Sequence, residues 1–243
     1  MANRSRPIGS SFALAAALAR TGLTVLRATA PGGRERWERG NHAGRAVDLH
    51  AGPACAVAAA VGTARVRPAA GFAVLAAGAR GAYDDAVGAG DPRRGFRARL
   101  SALRHGEVTS GAVKLSGLAA GAVLKERPLD KVLAGVVAGA AHFVNLVDVR
   151  PGPAGASVLA LGAPGLPRKG PGAEAAAAVG AAAAVLPDDL AERTMLGDTG
   201  AHALGAALGV AVVAGNGRAA HAAALVAAAS CGERASEAAH SLV

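Results

Sequence analysis

The chain has 243 residues, 52% of them hydrophobic and only 2% aromatic, with 34 glycines and a formal net charge of +9. So few large side chains would leave a soluble core of this size short of volume at ordinary packing density, whereas Ala and Gly suit closely packed membrane helices. The scarcity of stacking rings also argues against nucleic acid as the partner of the basic charge. That charge belongs either to a solvated surface or to the cytoplasmic loops of a membrane protein.

Nine apolar runs follow in chain order, near 11–30, 51–64, 69–83, 110–124, 131–148, 153–166, 173–187, 199–214 and 219–231. Several measure about 15 residues rather than the roughly 20 that cross a bilayer, so one or two are candidates for re-entrant or buried helices. Arg20 and Arg27 interrupt the first run, which argues against a cleavable signal peptide. Cys55 and Cys231 lie in apolar runs and read as small buried hydrophobes. The expected fold is all-α, a polytopic integral membrane helical bundle of about nine transmembrane segments. It forms one membrane-embedded domain over 1–243, with 232–243 as a short cytoplasmic tail.

Arginines orient the bundle. Residues 32–45 carry Arg34, Arg36, Arg39 and Arg45, and residues 91–107 carry Arg93, Arg94, Arg97, Arg99 and Arg104. Both loops are expected on the cytoplasmic side. Counting spans from there brings Asp84-Asp85, Asp148 and Asp198 to that same face, with the charged 125–131 loop outside. Carboxylates at the ends of membrane helices are costly and usually mark a site. Taken singly, each motif has a bland reading. Asp84-Asp85 fits a solvated helix end, and Asn145-Leu146-Val147-Asp148 is equally ordinary. Asp198 in Leu196-Gly197-Asp198-Thr199-Gly200 fits the cap of the following helix. On one face they suit a hard cation with oxygen ligands, such as Mg²⁺, which a few carboxylates and substrate phosphates can hold.

In this order, the motifs resemble those of the polyprenyl-phosphate N-acetylhexosamine-1-phosphate transferases, the superfamily that includes phospho-N-acetylmuramoyl-pentapeptide transferase. Gly81-Ala82-Tyr83-Asp84-Asp85 resembles the family's Asp-Asp motif, and Asn145-Leu146-Val147-Asp148 its Asn-Leu-x-Asp motif. The segment from Met195 to Ala201 resembles its Gly-Asp-Thr/Ser-Gly motif. Asn41 to Gly44 is similar, more loosely, to the first cytoplasmic loop. Lys114 matches a lysine that follows the Asp-Asp motif.

The resemblance implies an Mg²⁺-dependent phospho-sugar transferase of the cell membrane, multi-pass, with its active face cytoplasmic. It would move a sugar-1-phosphate of N-acetylhexosamine type from a UDP-sugar to polyprenyl phosphate and release UMP. It further implies Asp198 as the metal ligand and Asp84, Asp85 and Asp148 as catalytic groups. Asn41, Lys114, Asn145, Thr199 and Gly200 would bind substrate.

Two departures stand out. His142 occupies a position where the family often has Asn, and no His-rich loop appears, His221 and His240 being isolated. They motivate the alternative of a non-catalytic relative that binds lipid carrier or partner proteins. An unrelated Ala-rich transporter or scaffold is the third reading. The Gly205-x-x-x-Gly209 spacing allows close helix approach, within the chain or between the protomers of a homodimer.

Overall fold

The computed structural model describes residues 6–88, 128–168 and 171–217. The expected runs at 110–124 and 219–231, the Arg-rich 91–107 segment, Lys114, Cys231 and the expected tail lie outside the described residues. Within them the chain forms seven α-helices and one small hairpin, so the class is all-α as expected. The helices are α1 (Arg6–Thr29), α2 (Ala51–Ala64), α3 (Pro68–Gly88), α4 (Pro128–Val147), α5 (Pro153–Gly162), α6 (Gly172–Leu190) and α7 (Gly197–Gly215). Three of them begin at proline, whose fixed φ suits a first turn and whose missing N–H would have no helical partner there.

Apolar periodicity explains how they pack. In α1 the buried Ala15, Ala19 and Leu23 recur every fourth residue and form one stripe against α2 and α6. Phe12 and Val25 on the same helix stay exposed. α7 is central: α2, α3, α4 and α6 all pack on it, and Gly197 through Ala211 are buried. Small residues set the spacing. A Cβ at Gly205 would meet Ala140 O at 2.5 Å, and one at Gly209 would meet Val137 Cα at 2.7 Å. The Gly-x-x-x-Gly face is therefore taken up by α4 of the same chain. Cys55 is buried, as read from the sequence, with its Sγ 3.6 Å from Ala181 O.

The hairpin stands where the sequence reading expects only a loop. β1 (Glu38–Gly40) and β2 (Ala46–Asp48) pair antiparallel, Glu38 opposite Asp48 and Gly40 opposite Ala46. Asn41 Oδ1 accepts hydrogen bonds from the Ala43 and Arg45 amides, each at 2.9 Å, and closes the turn.

By length and hydropathy, two described helical segments qualify as membrane spans, Ile8–Thr29 and Gly197–Gly215. Seven of the roughly nine expected runs fall within the described residues. Charged residues lower the hydropathy of α3 (Arg80, Asp84, Asp85) and α6 (Glu174, Asp188, Asp189), and length is limiting in α2 and α5. At 14 and 10 residues, α2 and α5 reach about 21 and 15 Å, against the roughly 30 Å of a hydrocarbon core.

The C-terminal ends of α1, α3, α4 and α6 and the N-terminal ends of α2, α5 and α7 gather at one end of the bundle. Arg27 of α1 reaches Asp48 and Asp188, Asp85 of α3 reaches the start of α7, and a cleft joins Asp148, Asp189 and Met195. All the acidic motifs described above lie at this end.

Candidate functional site

The firmest contact links two motifs that are far apart in sequence. The Asp85 carboxylate accepts the backbone N–H of Asp198 at 3.0 Å and of Thr199 at 2.9 Å, and the Thr199 hydroxyl at 2.6 Å. These are first-turn amides of α7, which have no partner within their own helix. The sequence reading gave this capping role to Asp198. The structure corrects it: Leu196 is the cap residue, Asp198 sits inside the first turn, and the carboxylate comes from α3. A carboxylate there also meets the positive end of the helix dipole.

Gly81 makes the contact possible. A Cβ on it would collide with the Asp198 carbonyl and lie 2.6 Å from the Thr199 nitrogen, both backbone atoms held by α7. Gly81→Ala is expected to push α3 off α7 and lower stability by about 2 kcal/mol, the scale of overpacking in a tight interior. Chemical denaturation or a thermal midpoint checks it.

Asp84, on the neighbouring position of α3, does something different. It forms an ion pair with Arg80 one turn earlier. The other motif residues are set by the α4–α7 register. Val136 and Val137 lie at Gly209, and Ala140 and Ala141 at Gly205. The antiparallel run then brings Asn145 to the level of Ala201 and Asp148 to that of Asp198. Asp198 is buried, and its carbonyl oxygen is 2.7 Å from His202 Nδ1, so that nitrogen carries the hydrogen. The side-chain carbonyl of Asn145 is buried without a hydrogen-bond partner, a free acceptor at the level of these carboxylates. Gly200 packs under α2, where a Cβ would lie 3.0 Å from Gly52 Cα, so its role here is spacing.

Asn41 and Asp148 meet at a narrow cleft of about 30 Å³, shared with Arg150, Asp189, Glu192 and Thr194. A small-molecule site takes roughly 300 Å³ or more, so the cleft admits water rather than a nucleotide in this conformation. Asn41 also donates its amide to Glu192 Oε2 at 2.6 Å, which leaves the side chain committed to the loop.

The sequence reading missed an arginine–carboxylate network beside this cleft. Asp188, at the end of α6, is paired with Arg20, with Arg27 Nη1 at 2.9 Å and with Arg193 Nε at 2.9 Å. Arg27 Nε also binds Asp48 at 2.8 Å, and the Thr194 hydroxyl donates to the same carboxylate at 2.6 Å. Burial alone would raise the Asp188 pKa, but hydrogen bonds from Arg27, Arg20 and Arg193 outweigh it and hold the carboxyl well below the usual range. Asp189 beside it goes the other way. Burial pushes its pKa up, only partly offset by the Gly152 N–H at 2.8 Å. The signal for Asp188 was present as two arginines inside an apolar first helix, which need a partner, but nothing in the sequence names it.

With the buried His50 and His202 rings also at this end, the oxygen donors among the motif residues are Asp198, Asp148 and the Asn145 side-chain carbonyl. That chemistry fits Mg²⁺ rather than a softer ion. Among the described residues no three His, Cys, Asp or Glu side chains cluster closely enough to cage a metal. The fit is to an ion held by one or two carboxylates, with water and phosphate completing the shell. No protein-family profile, curated protein or solved structure matches the chain.

Proposed function

We propose that this chain is a membrane-embedded transferase that moves a sugar-1-phosphate from a UDP-sugar to polyprenyl phosphate, releasing UMP. The observation that carries the reading is the meeting of the Asp84-Asp85 motif with the Asp198-Thr199 turn at the bundle end that also holds Asp148. A chain selected only for helix packing has no need to bring three acidic motifs together. The polytopic architecture of about nine spans, with this end facing the cytoplasm, belongs to the same proposal. It is supported by the exposed apolar side chains Phe12, Val25, Phe72 and Leu75.

The parts divide as follows. Asp198 would hold Mg²⁺, with Asp148 and Asn145 on the diphosphate side. When bound, the ion supplies charge neutralisation for the diphosphate and for the departing UMP. Asp84 would face the polyprenyl phosphate as the group that accepts or orients its proton. Asp85 would act through α7, fixing the backbone that presents Asp198. An apolar groove of about 410 Å³ opens at the far end of the bundle, lined by Ala70, Ala73, Leu133, Val137, Val210 and Val213. It suits part of a polyprenyl chain. Its Ala70 lies fifteen residues, about 22 Å of helix, from Asp85 on α3.

The test is UMP release from a panel of UDP-N-acetylhexosamines by folded protein in detergent with polyprenyl phosphate and Mg²⁺. Asp198→Asn should reduce release at least about 100-fold, the scale of losing a metal ligand in phosphoryl transfer, in excess of any loss of folded protein read from the thermal midpoint. A wild-type protein silent across the whole panel removes the enzyme reading.

The second reading, a non-catalytic relative that binds lipid carrier or partner proteins, rests on two observations. The Asp85 carboxylate is wholly engaged in capping, and the cleft at Asp148 is closed to a nucleotide. Under it, Asp198→Asn leaves the cellular role intact.

A further inference from the structure

The basic side chains described at the acidic end are mostly matched. Arg20 and Arg193 bind Asp188, Arg27 bridges Asp188 and Asp48, and Arg45 pairs with Glu192 at 3.2 Å. Arg39 donates to the carbonyl oxygens of Arg36, Glu38 and Asp85. Arg80 differs. Its Nε is buried and makes no hydrogen bond, while its buried Nη1 is held by Asp84 alone. Its guanidinium carbon sits 5.8 Å from the centre of the Tyr83 ring, which holds the group against the helix. Arg27 also has one unbonded nitrogen, Nη2, but two carboxylates already grip its other nitrogens.

A guanidinium carries five donors in a rigid fork. Removing such donors from water without giving them acceptors is unfavourable, and a single carboxylate on the same helix satisfies the charge but not the geometry. A phosphate monoester offers three oxygens and nearly two negative charges, and it takes an arginine fork in a two-pronged contact.

We infer that Arg80 is a binding residue for the phosphate monoester of the acceptor, and that the incoming phosphate displaces Asp84 from it. The exchange does two things at once. It seats the phosphate beside the Asp84-Asp85 end of α3, and it frees the Asp84 carboxylate from its cation when a proton must be accepted. In the resting protein the Arg80 pairing keeps the Asp84 carboxylate occupied. This inference rests on the transferase reading for the identity of the ligand, but not for its test.

The test compares binding of a short-chain polyprenyl monophosphate with that of the matching polyprenol, by calorimetry on the full chain in detergent. Wild type should prefer the phosphate. Arg80→Gln should lose about 30-fold of that preference, the scale of one charge-assisted pair. Arg80→Lys should lose part of it, keeping the charge without the fork. Asp84→Asn supplies the readout that a structural ion pair would not move: with its competitor removed, Arg80 should bind the phosphate several-fold more tightly. It also keeps the question answerable if Arg80→Gln does not fold. An unchanged preference in Arg80→Gln, or weaker phosphate binding in Asp84→Asn, overturns the inference while leaving UMP release to judge the transferase reading. Equal binding of phosphate and alcohol by wild type overturns it as well, whatever the UMP assay gives.

Discussion

Asp85→Ala is expected to lower stability by about 3 kcal/mol and, on the transferase proposal, to reduce UMP release by at least about 100-fold. Its two oxygens take two backbone amides and one hydroxyl from the first turn of α7. Removing it strands buried donors beside the N-terminal dipole, where water enters poorly. The same turn carries Asp198, the proposed Mg²⁺ ligand, which would move with it. Asp85→Asn should sit close to the alanine variant: its amide offers one acceptor, and its NH₂ faces donors. Asp84→Asn separates the two roles. Among the described residues Asp84 pairs with Arg80 on its own helix, so on the transferase proposal activity should fall with the thermal midpoint held. Equal loss of stability in the Asp84 and Asp85 variants contradicts this division. Unfolding midpoints and UMP release measured on the same preparations decide it.

The second large effect is expected at Asp188, away from the proposed chemistry. Asp188→Asn should destabilise the protein by about 2–3 kcal/mol at neutral pH. The upper range for breaking a buried pair is discounted because Arg20 and Arg193 are 56% and 57% exposed, while Asp188 itself is 3% exposed. The pH dependence follows from the direction of the shift. The folded-state pKa lies below the unfolded value of about 3.9, so the contribution is complete above about pH 4. It is lost as pH falls further, through the folded-state pKa. Midpoints of wild type and variant should therefore stand apart at pH 7 and converge in strong acid. Asp189 contributes with the opposite sign: its raised pKa makes its contribution complete at low pH and lost as pH rises. It is present in both proteins and cancels in the difference. A gap that widens on acidification contradicts the assignment of Asp188 as the ionised centre of the network.

Period and punctuation made the helices legible in the sequence. The run at 51–64 is α2 to the residue, because apolar spacing acts locally, whereas Pro68 and Pro128 open α3 and α4 before the runs read at 69–83 and 131–148. High Ala and Gly content with few aromatic residues determined the class of packing, with Gly and Ala at the helix contacts. The acidic motifs were visible as motifs, and alternation of helix direction was enough to expect them at one end. Only the tertiary structure decided which carboxylate does what. Asp84 and Asp85 are adjacent in sequence, yet successive helical positions point about 100° apart, so one meets Arg80 and the other meets α7. The cap on α7 was assigned to Asp198 because a local rule sees only local carboxylates, and the true cap arrives from 113 residues away. Asp188 and its three arginines were unreadable for the same reason. Pairing of buried charges depends on which helix ends meet, and that is set by close packing along whole helices rather than by any short stretch of chain.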